Sequence, residues 1–139
     1  MLAAIVPALA AKMLIPHLLI TDDDSALRSI LREGLCRRGF NVTEASDGLE
    51  AIEVLEHSDV HICLVDFHMP RLNGLEVIRH VQTRLQPTPC VLMSADLNEQ
   101  IRAEASAMRA YGVLAKPLRL SQVSDLVCGA LADVYNWRP

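Results

Sequence analysis

Three consecutive carboxylates, Asp22, Asp23 and Asp24, close the apolar run Leu18-Leu19-Ile20-Thr21, and a second apolar run, Ile62-Cys63-Leu64-Val65, ends on Asp66. A strand that stops on an acid delivers its carboxylate to the edge of a sheet. In parallel α/β sheets the ligand crevice lies outside the carboxyl ends of the strands. Two such strands side by side would gather at least three like charges, an arrangement that makes sense with a hard cation among them. Oxygen ligands with few protein donors suit Mg²⁺, which keeps several waters and takes a phosphate oxygen to complete its shell. The first expectation is an acidic pocket that handles phosphate.

The elements that would carry these residues alternate along the chain. After the first strand, Leu27, Ile30, Leu31 and Leu35 recur at helical spacing and Gly39 follows as a stop. Asn41–Ala45 is a short strand, and Asp47-Gly48-Leu49-Glu50 opens a helix with an acid at the cap and Glu three residues later. Its apolar positions are Ala51, Ile52, Val54 and Leu55. The strand ending at Asp66 leads into a turn-rich loop with Met69-Pro70 and Asn73-Gly74. Leu75, Ile78, Val81 and Leu85 line the next helix, which Pro87-Thr88-Pro89 breaks. Cys90–Met93 is a fourth strand ending at Ser94, and Asp96 with Glu99 reads as the next helix start. Gly112–Ala115 is a fifth strand ending at Lys116-Pro117, before a last helix marked by Val123, Leu126, Val127, Leu131 and Val134. Strands alternating with helices in this way predict an α/β fold, a five-stranded doubly wound parallel sheet covered on both faces.

Composition fits one such domain. The chain has 139 residues, 51% of them apolar, enough for an ordinary core. A net charge of −4, with no basic cluster longer than Arg37-Arg38, argues against a nucleic-acid surface. Cys36, Cys63, Cys90 and Cys128 are widely spaced in apolar stretches and read as small core hydrophobes, which fits a reducing cytoplasm. His17, His57, His61 and His80 have no ligand spacing, so no zinc site is expected. Met1 to Ala11 is apolar and broken by Pro7, too short to span a membrane and without the basic start of a secretory signal. Residues 1–16 read as an N-terminal extension or tag, and Met13 is a second candidate start. Residues 17–139 read as the domain.

Right-handed crossovers make the strands open the same way, so Asp22 and Asp23, Asp66, Ser94 and Lys116 should share one rim. Asp23, with Asp22 through water, would bind Mg²⁺. Asp66 could serve as metal ligand and as nucleophile, because a screened carboxylate can attack phosphorus. Ser94 could hydrogen-bond a phosphoryl oxygen, and Lys116 could pair first with Asp66 and then with the phosphoryl group. Pro117 would fix the backbone after the lysine, and a cis bond is compatible with that. Singly, each signal has a plainer reading: a strand-ending Asp often caps a helix, and Lys-Pro is common in loops. Together, in order and each at its own strand end, they are hard to explain as coincidence.

The chain resembles the receiver domain of two-component response regulators over about residues 17–135. The resemblance is carried by Ile20-Thr21-Asp22-Asp23, by Leu64-Val65-Asp66-Phe67-His68-Met69-Pro70 with Asn73-Gly74, by Val91-Leu92-Met93-Ser94-Ala95, and by Leu114-Ala115-Lys116-Pro117. It implies a flavodoxin-like fold and a cytoplasmic switch in which Asp66 accepts phosphate from a histidine kinase or phosphotransfer protein. Asp22 and Asp23 would match the acidic pair that holds Mg²⁺, with the backbone carbonyl of His68 as a further ligand. Ser94 and Lys116 would match the switch hydroxyl and the lysine. Such a domain catalyses only its own phosphoryl uptake and hydrolysis, and signals through protein contacts. The helix-4/strand-5/helix-5 face, with Met108, Val113 and Leu118, would meet an output protein or a second copy.

Two positions depart from the family pattern. Val113 stands where an aromatic residue usually precedes the lysine by three, and Tyr111 is not an obvious substitute. Arg109-Ala110 stands where Gly-Ala is frequent, a change expected to alter only the local turn. His68, two residues after the acceptor, could set the lifetime of the phosphorylated state, against the plainer reading of a solvated loop imidazole. Two other functions compete. A phosphatase of the haloacid dehalogenase type would use Asp22 as nucleophile, but its late acidic pair would have to come from Asp125 and Asp133, inside the last helix. A degenerate receiver would bind partners without phosphate, and only Val113 favours that.

Overall fold

The computed structural model describes residues 15–139, so most of the expected N-terminal extension lies outside the described residues. Five strands alternate with five helices: β1 (His17–Thr21), α1 (Ser25–Arg37), β2 (Asn41–Ala45), α2 (Gly48–His57), β3 (Ile62–Asp66), α3 (Gly74–Gln82), β4 (Cys90–Ser94), α4 (Glu99–Ala107), β5 (Gly112–Ala115) and α5 (Leu120–Tyr135). All strands are parallel, in the order β2-β1-β3-β4-β5. This is the doubly wound sheet that the alternation predicts.

Polar caps start the first four helices by accepting hydrogen bonds from otherwise unpaired amides. Asp24 accepts from Leu27 N at 3.1 Å, Asp47 from Glu50 N at 2.9 Å and Asn98 from Ile101 N at 2.8 Å. Asn73 and Glu76 form a reciprocal capping box. Asn73-Gly74, read from sequence as turn residues, are thus the cap and first residue of α3. Gly74 is required there by close approach: a Cβ would stand 2.5 Å from the Asp66 carbonyl oxygen.

Two expectations about helix ends are corrected. Leu85 does not line α3, which stops at Gln82; Thr83 Oγ1 donates to His80 O at 2.7 Å, and Leu85 is fully exposed. Asp96 does not start α4, because Asn98 caps it and the Asp96 amide instead donates to Ser94 Oγ at 3.1 Å.

Strand alternation divides the core into two layers. Leu19, Cys63, Val65, Cys90 and Leu92 pack with residues of α2, α3 and α4, while Leu18, Ile20, Ile62, Leu64, Val91 and Met93 pack with α1 and α5. β3 and β4 are buried along their whole length, which is why they read as unbroken apolar runs. Register pairs Thr21 with Val65, Asp66 with Met93, and Ser94 with Ala115. The polar strand ends therefore come level along one rim.

Candidate functional site

The chain leaves β1 toward one face of the sheet and β3 toward the other, so a crevice opens between their carboxyl ends. Asp22 and Asp66 occupy it, both buried, with Asp23 exposed beside them. Carboxylate oxygens of all three lie within 4.8 Å of one another. Lys116, delivered by the end of β5, places Nζ 2.7 Å from Asp22 Oδ2 and 3.0 Å from Asp66 Oδ1. The Lys116–Pro117 peptide is cis.

One ammonium faces three carboxylates, so negative charge is left over. Burial pushes the Asp66 carboxyl above its ordinary value; Asp22 and Asp23 add to this, and Lys116 only partly offsets it. Burial would lower the Lys116 ammonium, but its hydrogen bonds to Asp22 and Asp66 outweigh that and hold it above its ordinary value. The donor set is all carboxylate oxygen and carries excess charge. It fits a hard, hydrated divalent cation such as Mg²⁺ and not a softer metal.

Asp22 is fixed on every side. Its amide donates to Ala45 O at 3.2 Å, its Oδ1 accepts from Asp24 N at 2.9 Å, and its carbonyl accepts from Arg28 Nη1 at 2.5 Å. Ser94 is buried at the neighbouring strand end; its carbonyl accepts from Lys116 N at 2.9 Å, and its hydroxyl holds the Asp96 amide. The His68 side chain is exposed in the loop after β3, with Nε2 3.4 Å from Asp96 Oδ2 in the loop after β4. The β3–α3 loop is strapped to the cap of α2 by Arg71, whose Nη2 pairs with Asp47 Oδ2.

The two departures take physical form here. Tyr111 does not replace the missing aromatic: it packs on the α1/α5 side and donates its hydroxyl to Asp133 Oδ2 at 2.5 Å, whereas Val113 packs on the α4 side. Arg109 adopts φ 61, a left-handed conformation that glycine takes without strain. The late acidic pair that a dehalogenase-type phosphatase needs is absent from the carboxylate group, since Asp125 and Asp133 both lie on α5. Sequence reasoning missed Arg28, Glu44 and Arg71. Arg28 carried one faint signal, a cation directly beside the apolar stripe of α1, but its partner on β2 could not be read from spacing.

The family model for the response regulator receiver domain matches residues 18–127, and the chain belongs to that family. Among curated relatives, the Regulator of RpoS of Escherichia coli (strain K12) is 31% identical over 124 residues, covering 88% of this chain and 37% of that protein. Protein PetR of Rhodobacter capsulatus is 35% identical over 102 residues, covering 73% of this chain and 43% of that protein. The chain thus spans less than half the length of either relative. Among solved structures, a Francisella response regulator 1452 receiver domain aligns with a TM-score of 0.81 at 22% identity, covering 85% of this chain and 98% of that one. A CheY-like receiver from Methanospirillum hungatei aligns at 0.84 with 17% identity, covering 88% and 98%. These two likenesses show the fold. Among the described residues, no helix is long and apolar enough to cross a membrane.

Proposed function

We propose that this chain is a phosphorylation switch of a cytoplasmic two-component system, with Asp66 as the residue that takes the phosphoryl group. The observation that carries this reading is the convergence of Asp22, Asp23 and Asp66 within 4.8 Å, with Lys116 bridging the two buried carboxylates. The donor is a phosphohistidine on a sensor kinase or phosphotransfer protein. An Asp66 oxygen attacks phosphorus, the P–N bond breaks as the P–O bond forms, and the electron pair leaves with the imidazole, which takes up a proton. Asp22, Asp23 and the His68 carbonyl would hold Mg²⁺, which when bound supplies charge neutralisation for the incoming phosphoryl oxygens.

Lys116 moves its ion pair from the Asp66 carboxylate to a phosphoryl oxygen. Ser94 turns its hydroxyl from the Asp96 amide to donate to another. Both shifts draw the loops after β4 and β5 toward the rim and bias a two-state equilibrium that includes α4. With Val113 in place of an aromatic ring, the signal is read through loop and helix position on the α4–β5–α5 face, by an output protein or a second copy. His68 and Asp96, in the loops after β3 and β4, set how water reaches the acyl phosphate.

The test is intact-protein mass after incubation with acetyl phosphate and Mg²⁺. The native chain is expected to gain one phosphoryl group, dependent on the metal, and Asp66→Asn to gain none. No gain by the native chain with Mg²⁺ bound would turn the reading to a phosphate-independent interaction module.

A further inference from the structure

Among the described residues, Arg28 is the one charged side chain that grips the backbone of the acidic pair. It reaches from the first turn of α1, and its Nη1 donates to the carbonyl of Asp22 at 2.5 Å. That carbonyl belongs to the peptide joining Asp22 to Asp23. The guanidinium is itself held, because Nε donates to Glu44 Oε1 on β2 at 3.1 Å. Both side chains are largely buried, at 15% and 25% exposure, so this pair is less screened by solvent than one at the surface. Glu44 sits opposite Ile20 in the sheet, so the clamp ties two strands and a helix to one peptide plane.

The two acids need this hold unequally. Asp22 is fixed by its amide, by both carboxylate oxygens and by the sheet. Asp23 is exposed, and the cap and helix begin immediately after it. The plane of the Asp22–Asp23 peptide sets the direction in which Asp23 leaves the strand. We infer that Arg28, held by Glu44, is a positioning residue for the cation site: it orients Asp23 toward Asp22 and Asp66 by clamping the Asp22–Asp23 peptide. The inference rests on the proposed reading of the three carboxylates as a Mg²⁺ site. An outer partner of this kind is worth tenfold or more in metal affinity.

Coulomb's law and positioning predict opposite signs, which makes the role separable. A guanidinium near a divalent cation repels it, so removing Arg28 for charge alone tightens Mg²⁺ binding. Removing a positioning group weakens it. A purely structural role lowers the melting temperature and leaves the affinity of the folded protein unchanged. Mg²⁺ affinity by calorimetry, without phosphoryl donor, should therefore be measured on folded native chain, Arg28→Ala, Glu44→Gln and Arg32→Ala. The expected result is a roughly tenfold weakening for Arg28→Ala, a smaller weakening for Glu44→Gln, and no change for the mostly exposed Arg32, whose contact with Glu44 is 3.8 Å. If Arg28→Ala does not fold, Glu44→Gln decides alone, since it weakens the charged pair that holds the guanidinium and leaves the guanidinium in place. Native binding with unchanged or tighter affinity in the folded variants overturns the inference and leaves the site reading standing. No Mg²⁺ binding by the native chain overturns both.

Discussion

The two ends of the sheet solve the burial of polar groups in opposite ways. At the amino end the polar groups are paired by hydrogen bonds: the His17 amide donates to His61 Nδ1 at 2.9 Å, His17 Nε2 meets Thr43 Oγ1 at 2.7 Å, and Tyr135 donates its hydroxyl to His61 O at 2.8 Å. The Tyr135 ring stands edge-on to His61 with centroids 5.4 Å apart. Burial lowers the His61 imidazole, helped by His17, and pushes the Tyr135 phenol up to about 12, so each stays uncharged. At the carboxyl end two buried carboxylates share one ammonium, Lys116, wedged between them. That end also contains Thr21 Oγ1, the one fully buried side-chain polar atom without a partner among the described residues. A sheet end that only has to be stable is built from hydrogen bonds. The other end stores uncompensated charge, the mark of a site shaped for a ligand.

The largest effect should come from removing the wedge. Lys116→Met leaves Asp22 and Asp66 buried without a counter-charge, and breaking a buried pair from one side costs about 3 kcal/mol or more. Urea denaturation at neutral pH with a chelator present should show that loss, shrinking in acid as Asp66, whose carboxyl lies above its ordinary value, protonates. An unchanged midpoint would mean that the two ends do not differ in stored charge.

The next effect has the opposite sign. The folded Asp66 pKa lies above its ordinary value of 3.8. Its stabilising contribution therefore belongs to low pH, and is lost as the pH rises through the folded value, leaving a net cost at neutrality. Asp66→Asn, which abolishes phosphoryl uptake in the proposed scheme, should make the protein more resistant to urea at pH 7 by about 1 kcal/mol, the scale on which stability and function conflict at such sites. A destabilised variant would show that the Lys116 hydrogen bond outweighs burial and repulsion.

The contrast between the ends also explains how much was legible in the sequence. Carboxylates and a lysine that each close an apolar run are visible because a strand has a fixed direction and period, so Asp22, Asp66, Ser94 and Lys116 could be placed on one rim from spacing alone. Helix ends were less legible, since a cap is decided by whichever side chain reaches the amides first. Asn98 displaced Asp96, and Asn73-Gly74 moved from turn to helix start. The Arg28–Glu44 clamp and the His17–His61–Tyr135 group were not legible at all. Each joins elements distant in sequence, and its geometry exists only once the sheet order brings them together.

The smallest effect tests the amino end. His61 accepts the His17 amide through Nδ1, which it can do only when that nitrogen carries no proton. Its folded pKa is depressed below the ordinary 6.5, so its stabilisation is complete above that value and is lost as the pH falls through the lowered one. Acid therefore weakens this end while it relieves the Asp66 end. In His61→Asn the amide oxygen can still accept from His17, but the side chain at this position no longer titrates. Its stability at pH 7 should match the native chain. Between pH 7 and pH 5 it should lose less, by about 0.5 kcal/mol, the scale of changes at half-exposed positions. Measured in the Asp66→Asn background, the comparison is freed of the opposing Asp66 carboxylate, and the difference that His61→Asn makes reads the His61 end with His17 and Asp59 present in both proteins. A variant that loses stability with acid as the native chain does would place the acid sensitivity elsewhere, and the two ends would no longer differ in the sign of their response to pH.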